Sequence, residues 1–466
     1  MKIQEKSITE ISKHAYLRFD CKYWRTQSQN RNKNAVLLKD LFTIVTGSVQ
    51  TNSYTVEQTD KPYVRIGDIS YKYGIVSDDI IYLNDSCDIP TDKILQENDL
   101  VLATIGATVG KVGIADDYVG GTFSNNTVCL RAKPPVNAKF YEKLLQTDKY
   151  ISYVFGVVSQ KAQPNLQQYD LENILLPQID SAVSDRVVNA IKTIENDINA
   201  LKMKIKTPKS IIDEVFAHEF GLSTDVLYKI ANSQNLNISC SNLSFNNSNL
   251  RFSTRWNKAG LIQEALLKMT DILKPLEKYI SQTLNGFSPE CSEGATMYGV
   301  LGVDAFSKDT VMKFDNLKYT DLPVSDRKSC FIKNGDFFVS RGNTTDLVAL
   351  ASIAEISGNT EPIMFPDLFI RIDFTDDINK RFLAYVFNSF IGRLYFKYAT
   401  KGKNQTMVKV SAKELNDFYV PVPSMNEQKR IVDLVQAEIN KQDSIKAKIS
   451  ELRGNIDEVI ENALDT

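Results

Sequence analysis

Arg18-Phe19-Asp20-Cys21-Lys22-Tyr23-Trp24 returns further along the chain as Arg251-Phe252-Ser253-Thr254-Arg255-Trp256. The two Arg-Phe pairs lie 251 − 18 = 233 residues apart, half of the 466-residue chain, and both tryptophans fall within the two copies. Self-similarity at such an offset marks a duplicated domain, and a duplicated domain can meet two targets at a fixed separation. A chain of this length allows two to four domains; two equivalent units are the simplest division, each able to bury its own core.

Laid side by side, the halves keep step. Leu38-Lys39-Asp40-Leu41-Phe42 leads to Gly47, and Leu276-Glu277-Lys278-Tyr279-Ile280 leads to Gly286. Pro62-Tyr63-Val64-Arg65-Ile66-Gly67-Asp68-Ile69 stands opposite Tyr298-Gly299-Val300-Leu301-Gly302-Val303-Asp304. Asn98-Asp99-Leu100-Val101-Leu102 stands opposite Gly335-Asp336-Phe337-Phe338-Val339, each a polar turn entering an apolar strand. Each half then predicts one helix, Phe140 to Phe155 and Arg381 to Tyr395, followed by a polar loop, Ser159 to Asn165 and Lys401 to Thr406. A strand comes next and ends at prolines, Leu175-Leu176-Pro177 and Tyr419-Val420-Pro421-Val422-Pro423, because proline lacks the ladder donor.

Beyond the prolines each half enters a long helix. Ser424-Met425-Asn426-Glu427 fits a capping box, whereas Asp180-Ser181-Ala182-Val183-Ser184 lacks the glutamate. Both helices carry apolar residues at alternating steps of four and three: Val187, Ile191, Ile194, Ile198, Leu201 and Ile205, then Ile445, Ile449, Leu452, Ile456 and Val459. A seam of period 3.5 seeks a partner helix; a helix lying on its own domain is the plain alternative. The seam occurs twice among many charges, which favours pairing, and two such helices of one chain pack most simply antiparallel. Pro208 interrupts the first seam, by a kink or by opening another helix over Pro208 to Phe220. Asn232 to Asn249 is rich in asparagine and serine and reads as a linker. The expected architecture is α+β with a pseudo-twofold internal repeat. Its parts are an N-terminal segment 1–37, a first globular domain 38–180, a central helix region 181–220, a linker and repeat-entry segment 221–270, a second globular domain 271–423 and a C-terminal helix 424–466.

The net charge of −2 argues against tight non-specific nucleic-acid binding by the isolated chain, although an average hides patches. The six cysteines, at 21, 87, 129, 240, 291 and 330, form no Cys-x-x-Cys pair, and His14 and His218 are the only histidines. No zinc site is expected, and idle thiols fit a reducing compartment. Met1 to Ser7 are charged and polar, and no signal peptide or membrane span reads from the sequence, so the expected location is the cytoplasm. Gly106-Ala107-Thr108-Val109-Gly110-Lys111 is one residue short of a phosphate loop and continues into Val112, so it predicts a tight β turn. Lys133-Pro134-Pro135-Val136 lacks the flanks of an Asn/Asp-Pro-Pro-aromatic methyltransferase motif. Asp367 and Glu427, the acids a metal-dependent nuclease would pair, lie 427 − 367 = 60 positions apart, and capping explains Glu427 better. Neither histidine sits in a motif for serine chemistry. No catalytic residue and no metal ligand is expected.

This layout resembles the specificity subunit of Type I restriction–modification systems over nearly the whole chain. Pro421-Val422-Pro423-Ser424-Met425-Asn426-Glu427-Gln428-Lys429-Arg430-Ile431 resembles that family strongly. Gly106 to Lys111 and Met364-Phe365-Pro366-Asp367-Leu368-Phe369-Ile370-Arg371 are also similar to it. The first half departs from the pattern, since Pro177-Gln178-Ile179-Asp180 is not followed by Glu-Gln. The resemblance implies two target-recognition domains, each reading one half of a split double-stranded DNA site, and two long antiparallel, coiled-coil-like helices as the spacer between them. It implies docking of two methyltransferase (modification) subunits, with restriction/motor subunits joining the larger complex. It also implies that this chain holds no catalytic centre and no cofactor, S-adenosylmethionine and ATP belonging to the partners. The alternatives are the same recognition role with a fused nuclease-methyltransferase partner, a helical scaffold that never reads DNA, and an unrecognised enzyme. Geometry is compatible: a helix of about 25–38 residues is about 37–57 Å long, against about 34–36 Å for one turn of B-DNA.

Base edges call for Asn, Gln or Arg, and phosphates for cations. Gln160 and Gln163 in the first polar loop, and Asn404 and Gln405 in the second, are the candidate base readers; Lys161 and Lys403 would hold phosphate. Arg341, Asn343 and Thr344 follow the strand Gly335–Val339, and Thr108 and Lys111 follow its counterpart, forming a second set of candidates. Arg393 to Lys413 contains Arg393, Lys397, Lys401, Lys403, Lys409 and Lys413 and no acidic residue, so it reads as a basic patch. For every one of these residues an exposed polar turn is the plain alternative.

Overall fold

A computed structural model describes residues 21–29, 34–47, 54–55, 58–76, 80–84, 86–158, 164–236, 238, 253–307, 309–321, 329–356, 362–401 and 407–464. In it the repeated motif opens a helix in each half, Cys21–Gln29 and Thr254–Met269. Ser253 caps the second, its side chain accepting from the Trp256 N–H. The aromatic residues Tyr23 and Trp256 are buried anchors. The two helices pack on Asp148–Val157 and Phe390–Ala399 respectively.

The chain divides into two units, residues 1–203 with 447–466 and residues 204–446. Each contains the same four-stranded antiparallel sheet. In the first, the order is Phe42–Thr46, Thr127–Ala132, Leu100–Ala103, Val112–Ile114. In the second, it is Ile280–Asn285, Phe369–Phe374, Phe337–Ser340, Ala351–Ile353. A smaller sheet in each unit contains one parallel pair, Pro62–Val64 with Thr122–Phe123 and Tyr298–Val300 with Ile363–Met364. The proline-ended strands pair with the entry segments: Leu175–Pro177 with Ala35–Leu37, and Tyr419–Pro421 with Leu273–Pro275. The two turn glycines permit equivalent close approaches. A Cβ on Gly47 would lie 2.0 Å from the Ser124 carbonyl oxygen, and one on Gly286 2.1 Å from that of Pro366.

A buried ion pair repeats as well. Asp99, 1 % exposed, accepts from the Arg131 Nη2 at 2.8 Å and from the Gln96 N–H at 2.9 Å. Asp336 faces Arg371 at 3.5 Å and accepts from the Lys333 N–H at 2.9 Å. The preceding residues, Asn98 and Gly335, both have a left-handed backbone, φ 64° and 82°, which asparagine and glycine tolerate.

The single helix expected in each half is two. Phe140 to Phe155 spans Ala138–Leu145 and Asp148–Val157; Arg381 to Tyr395 spans Lys380–Asn388 and Phe390–Ala399. The breaks fall where a side-chain oxygen can recap the chain. Thr147 accepts from the Tyr150 N–H and Ser389 from the Ile391 N–H. An amide of the helix before each break fastens the edge strand. Gln146 donates to the Val112 carbonyl, and Asn388 exchanges bonds with both backbone groups of Ala351.

The central helix is Ser181–Lys202, capped by Asp180. Within the first unit its seam residues Val187 and Ile191 share a core with Leu176, Phe140 and Ile460 of the C-terminal helix Met425–Leu464. Ile198 and Ile449 are also buried, while Ile194, Leu201, Ile445, Leu452, Ile456 and Val459 are half-buried. Glu195 lines the same crevice as Arg453 and Ile456, so rising numbers on one helix meet falling numbers on the other, an antiparallel order. Ile205 does not join the seam. It is 40 % exposed and lies past the helix end, before Thr207 caps a new helix with Pro208 at its first position. That helix, Pro208–Glu219, is the opening that Pro208 allowed. The segment expected as linker and repeat entry contains the helix Thr224–Asn232 as well as Thr254–Met269. At the start of the C-terminal helix only half of the capping box forms. Ser424 accepts from the Glu427 N–H, but the Glu427 carboxylate turns to Arg430 instead. Among the described residues no helix is long and apolar enough to cross a membrane.

Candidate nucleic-acid interface

In each unit, the turn after a core strand is joined to the end of the polar loop. In the first unit, Leu100–Ala103 runs into Thr104 and Ile105, and Ile105 bridges Asn165. Gly106 N–H donates to the Pro164 carbonyl, and Leu166 N–H to that of Thr104. In the second, Phe337–Ser340 runs into Gly342–Asn343, which pairs antiparallel with Val408–Lys409. Val410 N–H donates to the Arg341 carbonyl. Gln160, Lys161 and Gln163, with Lys403, Asn404 and Gln405, fall outside the described residues. What meets the turn candidates is the segment leaving each polar loop, Pro164–Leu166 in the first unit and Val408–Val410 in the second.

The first-unit turn is the tight one expected. Gly106 and Gly110 have φ of 75° and 84°, and Gly110 N–H closes onto the Ala103 carbonyl. Thr108 is committed to this turn, its hydroxyl donating to the Ile105 carbonyl at 2.9 Å. Lys111 lies over the Tyr71 ring, 5.4 Å from the centroid, and the Tyr71 hydroxyl reaches the carbonyls of Ala107 and Val109. Tyr71 carried no local signal: 111 − 71 = 40 residues separate it from the lysine above it.

In the second unit, Arg341 donates to the Asp367 carbonyl, and Ser288 bonds the Asp367 carboxylate. The Asn343 side chain accepts from the Thr344 N–H, and Thr344 is exposed. Lys397 is half-buried and Lys401 exposed, and both are paired, with Asp346 at 2.8 Å and Glu414 at 3.1 Å. Lys413 is paired with Asp417.

Among the described residues of the run Arg393–Lys413, most of the cations are therefore already engaged. Arg393 is half-buried with its guanidinium turned inward, where it donates to the Val348 and Phe387 carbonyls, and desolvation pushes its pKa down to about 10. Tyr395 and Phe396 are core residues. Acids from outside the run neutralise three of its lysines. Among the described residues Lys409 remains exposed with no ion pair, and it stands in the strand opposite Gly342. Among the described residues no group of His, Cys, Asp and Glu side chains could hold a metal ion.

Comparison with known families matches residues 30–207 and 274–453 to the Type I restriction modification DNA specificity domain, one copy in each half. No curated protein sequence matches the chain. Among solved structures, one described as showing complex assembly and conformational transition of the type I R-M system is 14 % identical. It covers 92 % of this chain and 96 % of its own, with a TM-score of 0.49. The Type-I restriction-modification S subunit from M. genitalium is 15 % identical, with 93 % and 97 % covered and a TM-score of 0.40. The HsdS subunit from Thermoanaerobacter tengcongensis is 14 % identical, with 92 % and 96 % covered and a TM-score of 0.39. At these scores the weight rests on the family match, which spans both halves.

Proposed function

The chain belongs to the Type I restriction modification DNA specificity domain family, and from that premise we propose that it reads a two-part DNA site, one half-site per globular unit. It is a DNA-recognition subunit of a Type I restriction–modification system. The observation that supports the two-part reading is the duplicated edge. A turn after the third strand of the sheet is fastened to the segment that leaves the polar loop in both units, at Ile105–Asn165 and at Gly342–Lys409. A reader needs side chains carried on a rigid edge, and loops anchored to sheet strands provide that.

In this reading the polar loops touch bases through Gln160, Gln163, Asn404 and Gln405. Lys161, Lys403 and Lys409 touch phosphates, and Lys397 and Lys401 do so by exchanging a carboxylate partner for phosphate. The paired helices set the gap between half-sites. Two modification subunits dock on the chain and restriction/motor subunits join them. The chemistry belongs to those partners, which bind S-adenosylmethionine and ATP; this chain is non-catalytic, holds no cofactor and works in the cytoplasm.

The deciding experiment maps DNA methylation in a host with and without this gene, its partners held constant. A split motif that appears only with the gene is the expected result. An identical map in both hosts would refute recognition by this chain.

A further inference from the structure

A hairpin of the first unit touches both long helices. Ile69–Ser70 pairs with Gly74–Ile75, leaving Tyr71-Lys72-Tyr73 at the tip. The Tyr73 ring meets two cations: Lys202 Nζ lies 4.6 Å from its centroid and the Arg453 guanidinium 4.3 Å. Lys202 ends the central helix, and Arg453 belongs to the C-terminal helix. The neighbouring Lys72 is 2.8 Å from Asp148 and 3.7 Å from Asp457. Lys143 reaches Glu195 of the central helix at 2.7 Å. Beside it, a crevice lined by Lys72, Lys143, Glu195, Arg453 and Asp457 holds about 40 Å³, room for little more than a water or two, so these contacts form a joint and not a ligand pocket.

The same unit has another attachment to the helices. Val187, Ile191 and Ile460 enter its apolar core. Lys202 lies 202 − 191 = 11 to 202 − 187 = 15 residues further along the central helix, about 16–23 Å at the helical rise. A body pinned at one point can rock; pinned at two points this far apart, it keeps one angle. The sheets of the second unit contain no counterpart of this hairpin among the described residues.

We propose that Tyr73 is a positioning residue for gap measurement: held between Lys202 and Arg453, it fixes the angle of the first recognition region on the paired helices, and with it the half-site spacing the chain accepts. This rests on the two-half-site reading above. The ring face carries the function and the hydroxyl does not, because the cations are drawn to the aromatic quadrupole. Tyr73 is 44 % exposed, so its replacement leaves the core intact.

The test uses the full complex with its modification subunits. Methylation rates are measured on duplexes with the native gap and with gaps one base pair longer or shorter. Tyr73→Phe is expected to keep the wild-type ratio of native to altered gap. Tyr73→Leu is expected to shrink that ratio about five-fold or more, while discrimination against a base change inside a half-site is kept. Lys202→Gln should move the ratio in the same direction by less. An unchanged ratio in Tyr73→Leu, or an equal loss on all gaps, would overturn the positioning role while leaving split-site recognition standing. A wild-type complex indifferent to both half-sites would overturn recognition itself, and this inference with it.

Discussion

A buried carboxylate is only as stable as its partners, and Asp99 shows what that means here. It is 1 % exposed, accepts from Arg131 and the Gln96 N–H, and has its equivalent in Asp336. Asp99→Ala leaves Arg131 facing an apolar strand junction and the Gln96 N–H unbonded. We expect a loss of about 2–3 kcal/mol in urea unfolding, below the full cost of breaking a buried pair because Arg131 is 25 % exposed. Residues that read DNA behave differently from residues that hold the fold. Gln405→Ala should relax base preference in one half-site only, by about 1–3 kcal/mol if its contact is bidentate. Lys403→Ala should weaken binding to every sequence alike and flatten the salt dependence. Equal losses on cognate and scrambled DNA for Gln405→Ala would remove it from the base-reading set. The residue types were legible in the polar loops; which cations stay available was not. Asp346 and Glu414, which pair with Lys397 and Lys401, lie 51 and 13 residues away along the chain (397 − 346 and 414 − 401).

Elements are joined by a few buried polar side chains, and Gln428 is the clearest. It is fully buried on the C-terminal helix, donates to the Asp377 and Pro423 carbonyls, and accepts from the Asn379 N–H. Asn379 caps the helix Lys380–Asn388, so Gln428 ties one helix start to another. Gln428→Leu should destabilise the second unit by about 2–3 kcal/mol, the cost of leaving buried groups unpaired, read as a lowered unfolding midpoint. The first half lacks the Glu-Gln of this motif and makes the same join with other residues. Asn137, which caps Ala138–Leu145, donates to the Asp185 carboxylate at 2.6 Å. The sequence departure is thus a change of chemistry at a shared joint. The helix breaks belong to this scale too. Ser389→Ala should cost about 1 kcal/mol, as for other N-caps, and a stability scan of that variant checks it. Apolar periodicity ran straight through Gln146–Thr147 and Asn388–Ser389, so the break was invisible to it; a hydroxyl competing for backbone N–H groups made it.

At the scale of the whole molecule, one continuous helix, Met425–Leu464, contributes residues to both units, and the central helix joins its last part in the first unit's core. Deleting 447–466 removes Ile449, Ile456 and Ile460 from the seam. The expected result is a chain that exposes Val187 and Ile191 and loses split-site methylation in the assembled complex, checked by mapping the modified bases. Retained methylation at the full split site would show that the C-terminal seam is dispensable for spacing.

The duplication, the matching apolar strands, the proline-ended strands and the heptad seam are all legible along the chain. They are written in local order, as a repeat offset, a turn-then-apolar run and a period of 3.5, and side-chain burial largely follows such patterns. The tertiary structure alone decided which lysines are neutralised, where the seam stops short of Ile205, and how the turns at Ile105 and Gly342 meet the polar loops. Those outcomes depend on encounters between residues far apart in the chain, and a local pattern records which side chains are present without recording which of them will meet.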